Sequence, residues 1–91
     1  MPAKQVIYSG RVQGVGMRYS IKQIASGYEV VGSVKNLPDG RVELQAMSQD
    51  ADELDAFFAA IDESNLGSLI KEREVSAIPA LVGQRGFSIV R

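Results

Sequence analysis

The 91-residue sequence predicts an α+β fold: a ferredoxin-like sandwich with strand–helix–strand–strand–helix–strand order and a short terminal strand. Three observations lead there. Two segments repeat apolar residues with helical spacing, and short β-rich runs flank each of them. The turn signal Asn36-Leu-Pro-Asp-Gly40 separates two adjacent β-rich runs and marks a hairpin. Two helices cannot cover both faces of so small a sheet, so they are expected to share one face of an antiparallel sheet.

In chain order, Gln5–Ser9 reads as the first strand and leads into a loop punctuated by Gly10, Gly14 and Gly16. Ile21, Ile24, Ala25 and Tyr28 then recur at i, i+3, i+4 and i+7, the stripe of a helix, with Lys22, Gln23 and Ser26 off that stripe. Gly27 is placed to end the helix. Val30–Val34 reads as a strand. Val42, Leu44 and Ala46 alternate with Glu43 and Gln45, a strand with one buried face. Asp50-Ala-Asp-Glu53 has the form of a helix N-cap followed by an acidic residue at N3. Leu54, Phe57, Phe58 and Ile61 form the second apolar stripe, which should stop near Asn65–Gly67. Ile70–Ile78 is a weaker strand, its first half charged. Phe87–Arg91 is the last strand, with Phe87 and Ile89 on one face. Right-handed crossovers put the first strand beside the strand at 41–47, in the centre of the sheet. Tyr8, Tyr19 and Tyr28 are read as packing residues.

The chain has no histidine, cysteine or tryptophan. Imidazole bases, Ser–His–Asp triads, thiolate nucleophiles, disulfides and Cys- or His-ligated metals are therefore excluded. Length and composition fit one soluble domain over residues 1–91. The longest apolar run, Ala56–Ile61, is too short to span a bilayer, and the N-terminus has no apolar signal core. A cytoplasmic protein with no membrane partner is expected. Net charge is −1, but residues 1–45 carry six basic and three acidic side chains, and residues 46–91 four and eight. The basic half is where an anion site is expected, although a scattered solvated surface would give the same count.

Gly10-Arg-Val-Gln-Gly-Val-Gly-Met-Arg18 is the chemically informative segment. It leaves a central strand and enters a helix, which aims backbone N–H groups and the positive end of the helix dipole at one spot. Gly14 and Gly16 allow the backbone to curl into an anion nest. Arg18, in the first turn, adds a planar fork of donors. A plain tight connection with a solvated Arg fits the same residues. Nucleotide loops fit less well: there is no Gly-Lys-Ser/Thr and no third glycine of a dinucleotide fingerprint. Asn36 is either a turn-forming residue bonded to its own backbone or a polar head that orients a water near the loop.

At these residues the sequence resembles the acylphosphatase family. The resemblance rests on Arg11-Val-Gln-Gly-Val-Gly-Met-Arg18, on Lys35-Asn-Leu-Pro-Asp-Gly-Arg-Val42 eighteen positions on from Arg18 to Asn36, and on a closing Phe87-Ser-Ile89. It implies hydrolysis of acyl phosphates to carboxylate and phosphate. Arg18 and the amides of Gly14, Val15, Gly16 and Met17 would hold the phosphoryl group, and Asn36 the attacking water. It implies neither metal nor cofactor, and a small-molecule acyl phosphate or phosphate as partner. The chain departs from the family's usual pattern at Met17 (usually Phe), Ser20, Ser33 and Gly27; Gly32 matches. A non-catalytic anion-binding module or a regulatory dimer of the same fold are the alternatives, against an expected monomer. An RNA-binding surface is disfavoured, because the strand Arg41–Met47 offers no aromatic for base stacking and no nucleic-acid partner is expected.

Overall fold

The computed structural model describes residues 1–90; Arg91, assigned above to the last strand, lies outside them. The elements are β1 (Ala3–Gly10), α1 (Met17–Ala25), β2 (Val31–Asn36), β3 (Val42–Met47), α2 (Ala51–Glu63), β4 (Ile70–Ala77) and β5 (Phe87–Val90). A 3₁₀ turn, Asn65–Ser68, links α2 to β4. The sheet runs β4-β1-β3-β2-β5. Its first four strands are antiparallel, with β1 beside β3 as the crossover rule requires. The fifth differs from expectation. β5 pairs with β2 in parallel, Gly32 opposite Phe87 and Val34 opposite Ile89, so the sheet is mixed.

The two helices cover one face. Val6 and Tyr8 of β1, Val34 of β2 and Val42, Leu44 and Ala46 of β3 meet Met17, Ile21 and Ala25 of α1 and Leu54, Phe57 and Ile61 of α2 in one core. Phe57 is its aromatic hub, with ring centroids 6.0 Å from Tyr28, 5.6 Å from Phe58 and 5.8 Å from Phe87. The open face is polar: Gln45 donates to Gln5 at 2.9 Å, and Lys35 pairs with Glu43 at 3.5 Å.

Local chemistry accounts for the ends of the helices. Asp50 caps α2 by accepting from the Asp52 N–H at 2.9 Å. The Glu53 carboxylate, at N3, accepts from the Glu29 N–H at 2.9 Å and ties α2 to the start of the β2 hairpin. α1 stops at Ala25, short of Tyr28. Its last turn tightens into i→i−3 bonds from Gly27 to Ile24 and from Tyr28 to Ala25, and the Ser26 hydroxyl donates to the Gln23 carbonyl at 2.6 Å. Tyr28 still reaches the core, from the turn and not from the helix. Gly32 matters for close approach: a Cβ there would sit 1.9 Å from the Gln45 carbonyl oxygen of β3.

Candidate active site

β1 ends at Gly10, and the next six residues carry the chain to the start of α1. Gly14 (φ 76°) and Gly16 (φ 72°) both take the left-handed conformation. A Cβ on either would meet open space, so glycine is required here by backbone angle and not by crowding. Gly16 is the N-cap of α1 and has no side chain to satisfy the first turn. The first helical bond runs from the Ser20 N–H to the Gly16 carbonyl, which leaves the N–H groups of Met17, Arg18 and Tyr19 without a backbone acceptor among the described residues. An uncapped helix start next to two left-handed glycines is an arrangement suited to an anion.

A cleft of about 250 Å³ opens at this point. It brings together Gly14, Gly16, Met17 and Arg18 from the loop and α1 with Asn36 from the end of β2. Val15, on the outer turn of the loop and 37% exposed, does not line it; any part it plays is through its backbone N–H. Met17 reaches the cleft from the core, where it is buried, so the flexible thioether fills the apolar gap beneath the loop. One guanidinium nitrogen of Arg18, Nη1, donates to the Val90 carbonyl of β5 at 3.2 Å. That bond pins the fork while its other donors make no hydrogen bond among the described residues.

Asn36 is half-buried, and its side chain makes no hydrogen bond among the described residues. The turn is closed by a different residue. Asp39 accepts from the Arg41 N–H at 3.1 Å and from the Arg41 Nε at 2.7 Å, and these contacts hold its carboxyl below the usual range, the backbone bond contributing most. Asp39 thus takes the turn-closing role, and Asn36 lines the cleft.

One residue at the site carried no sequence signal. Gln13 donates from Nε2 to the carbonyls of Leu37 at 2.8 Å and Arg41 at 2.9 Å. It fastens the glycine loop to the turn that follows Asn36. Tyr19 also differs from expectation: it is 69% exposed and lies at the lip of the cleft, while Tyr8 is buried as a packing residue. Larger concavities exist, but chemistry decides between them. The one of about 650 Å³ lies at the opposite end of the sheet and is lined by Glu29, Asp50 and Glu53, the wrong sign for an anion.

Known proteins resemble this chain along most of its length. The acylphosphatase family profile matches residues 4–89. An acylphosphatase of Bacillus subtilis is 37% identical over 86 residues, covering 94% of this chain and 93% of its own. One from Pediococcus pentosaceus is 41% identical over 85 residues, covering 92% and 93%. The crystal structure of acylphosphatase from Bacillus subtilis superposes with a TM-score of 0.88 at 36% identity, over the full length of both chains. The similarity thus runs through the glycine loop, the hairpin and the closing strand together, and the chain belongs to the acylphosphatase family, enzymes that hydrolyse acyl phosphates.

Proposed function

We propose that the cleft between the glycine loop and Asn36 is where this enzyme hydrolyses acyl phosphates, by in-line attack of water on phosphorus. The observation that carries the reading is the convergence of Arg18, Asn36 and the uncapped start of α1 on one small cleft. The N–H groups of residues 14–17 and the Arg18 guanidinium bind the phosphoryl oxygens. The Asn36 side-chain oxygen accepts a hydrogen bond from the water and aims it. As the water oxygen bonds to phosphorus, the bond from phosphorus to the bridging anhydride oxygen breaks. Its electron pair leaves with the carboxylate, and the water proton passes to a phosphoryl oxygen.

The chemistry needs little else. A carboxylate is a good leaving group, so no general acid is required, and the main demand is to stabilise charge on the transferring group. Donors already in place contribute about 3–4 kcal/mol each when strong. The decisive experiment is turnover of a simple aromatic acyl phosphate, with inorganic phosphate as competitive inhibitor. Arg18→Ala is expected to lose both rate and phosphate affinity. Asn36→Ala should lose rate by about 10²–10³-fold while phosphate binding largely persists. Wild-type rates in both variants would overturn the assignment. A sharp enzyme-derived limb in the pH–rate profile near neutrality would overturn the proton's route.

A further inference from the structure

Tyr19, Lys22, Gln23 and Ser26 are spaced i, i+3, i+4, i+7 and form a stripe along α1 on the side away from the core. Opposite this stripe runs β5, with Phe87 and Ile89 half-buried. Between them lies a groove of about 630 Å³. Tyr19 and Ile89 line both this groove and the phosphoryl cleft, so the two are continuous. Among the described residues, Lys22 is the single charged side chain lining the groove, and it makes no ion pair.

We propose that this groove receives the acyl part of the substrate, and that it favours a flat, apolar acyl group bearing a distal anion. The inference rests on the phosphoryl-site reading above. A single bridging oxygen joins the phosphoryl and acyl groups, so with phosphorus in the cleft the acyl carbon lies at its mouth, beside Tyr19. The exposed Tyr19 ring and the Ile89 side chain offer a surface for an aryl or branched group. Three residues further along α1, about 4.5 Å of helix rise, Lys22 supplies the one charge that, among the described residues lining the groove, an outer substituent would meet.

The test compares acetyl, benzoyl and 4-carboxybenzoyl phosphate on the wild type and on Tyr19→Ala, Lys22→Gln and Lys22→Glu, read as ratios of kcat/KM between substrates. Lys22→Gln is expected to lower the 4-carboxybenzoyl-to-benzoyl ratio by about 2–5-fold, and Lys22→Glu by more. Added salt should shrink the same ratio in the wild type. Tyr19→Ala is expected to lower the benzoyl-to-acetyl ratio by about 3–10-fold. Acetyl phosphate extends little beyond the cleft, so it reports the phosphoryl site separately. Normal acetyl phosphate turnover with both ratios within twofold of wild type in all variants overturns the groove alone. No turnover of any of the three substrates by the wild type overturns the phosphoryl-site reading and the groove with it.

Discussion

Replacing Gln13 by Glu keeps its shape and reverses its hydrogen-bonding role. Both partners of Gln13 are carbonyl oxygens, at 2.8 and 2.9 Å, so the amide nitrogen must face them and a carboxylate cannot substitute. Two neutral hydrogen bonds contribute a net of about 1–3 kcal/mol together. In Gln13→Ala the loss should fall near the low end, about 1 kcal/mol, because both carbonyls keep backbone donors: Gly40 N–H to Leu37 at 3.2 Å and Leu37 N–H to Arg41 at 2.8 Å. Gln13→Glu adds repulsion between an anion and two carbonyl oxygens, so it should cost more than Ala, about 2–3 kcal/mol at pH 7. Urea unfolding measures this. Gln13 is a positioning residue, so the kinetic readout is a split. kcat should fall about tenfold or more as Asn36 loses its alignment with the loop, while the phosphate inhibition constant moves much less. Acidification towards the usual Glu range, about 4.3, should restore part of the Gln13→Glu stability relative to Gln13→Ala, since a protonated carboxyl donates one bond. A Gln13→Glu protein as stable as wild type, or phosphate affinity falling in step with kcat, would refute the reasoning.

Further perturbations bear on the scaffold. Phe57→Ala removes a fully buried ring with three aromatic neighbours and should cost about 3–5 kcal/mol in chemical denaturation, much of the stability of a domain this size. Gly32→Ala forces a methyl against the β3 backbone and should lower stability by about 2–3 kcal/mol or more by the same measurement; a neutral result would mean the strands separate easily. Burial pushes the Tyr8 phenol well above its usual range; Asp62 adds to this and Arg73 opposes it. The raised value means that stability is intact below about pH 10 and declines above it, by up to about 1.4 kcal/mol per pH unit, as only the unfolded chain ionises. Tyr8→Phe should flatten that alkaline decline, and pH-dependent urea midpoints will show whether it does.

What could be read from the sequence was whatever has a period or a local bond. Apolar spacing located both helices, and the Asn36–Gly40 signal located the hairpin, although the own-backbone bond offered for Asn36 is made by Asp39. Spacing is less informative about where a helix stops. Tyr28 continued the stripe of α1, yet Ser26 and Gly27 had already wound it down, and the ring reaches the core from a turn. Beyond the pairing of β1 with β3, long-range partners were invisible. The parallel docking of β5 on β2 and the bond from Arg18 to Val90 depend on where the chain returns after α2 and β4. Gln13 shows the same limit: its partners are backbone carbonyls 24 and 28 positions away, and a carbonyl has no residue identity to recognise. Tyr19 was misjudged because an aromatic in the first turn of a helix reads as core, whereas this one lies off the buried stripe.

The bond between Arg18 and the Val90 carbonyl spans 72 positions of sequence. Synthesis runs from the N-terminus, so the ribosome delivers the glycine loop and Asn36 long before the strand that pins Arg18. A nascent chain can close the β2–β3 hairpin, but the guanidinium gains its anchor only when β5 docks on β2. Activity is therefore a report on whether β5 has docked. A probe of phosphate binding in a stopped-flow refolding experiment should lag behind the packing of Phe57 on Tyr28 and Phe58, and keep pace with the packing of Phe87, which arrives with β5.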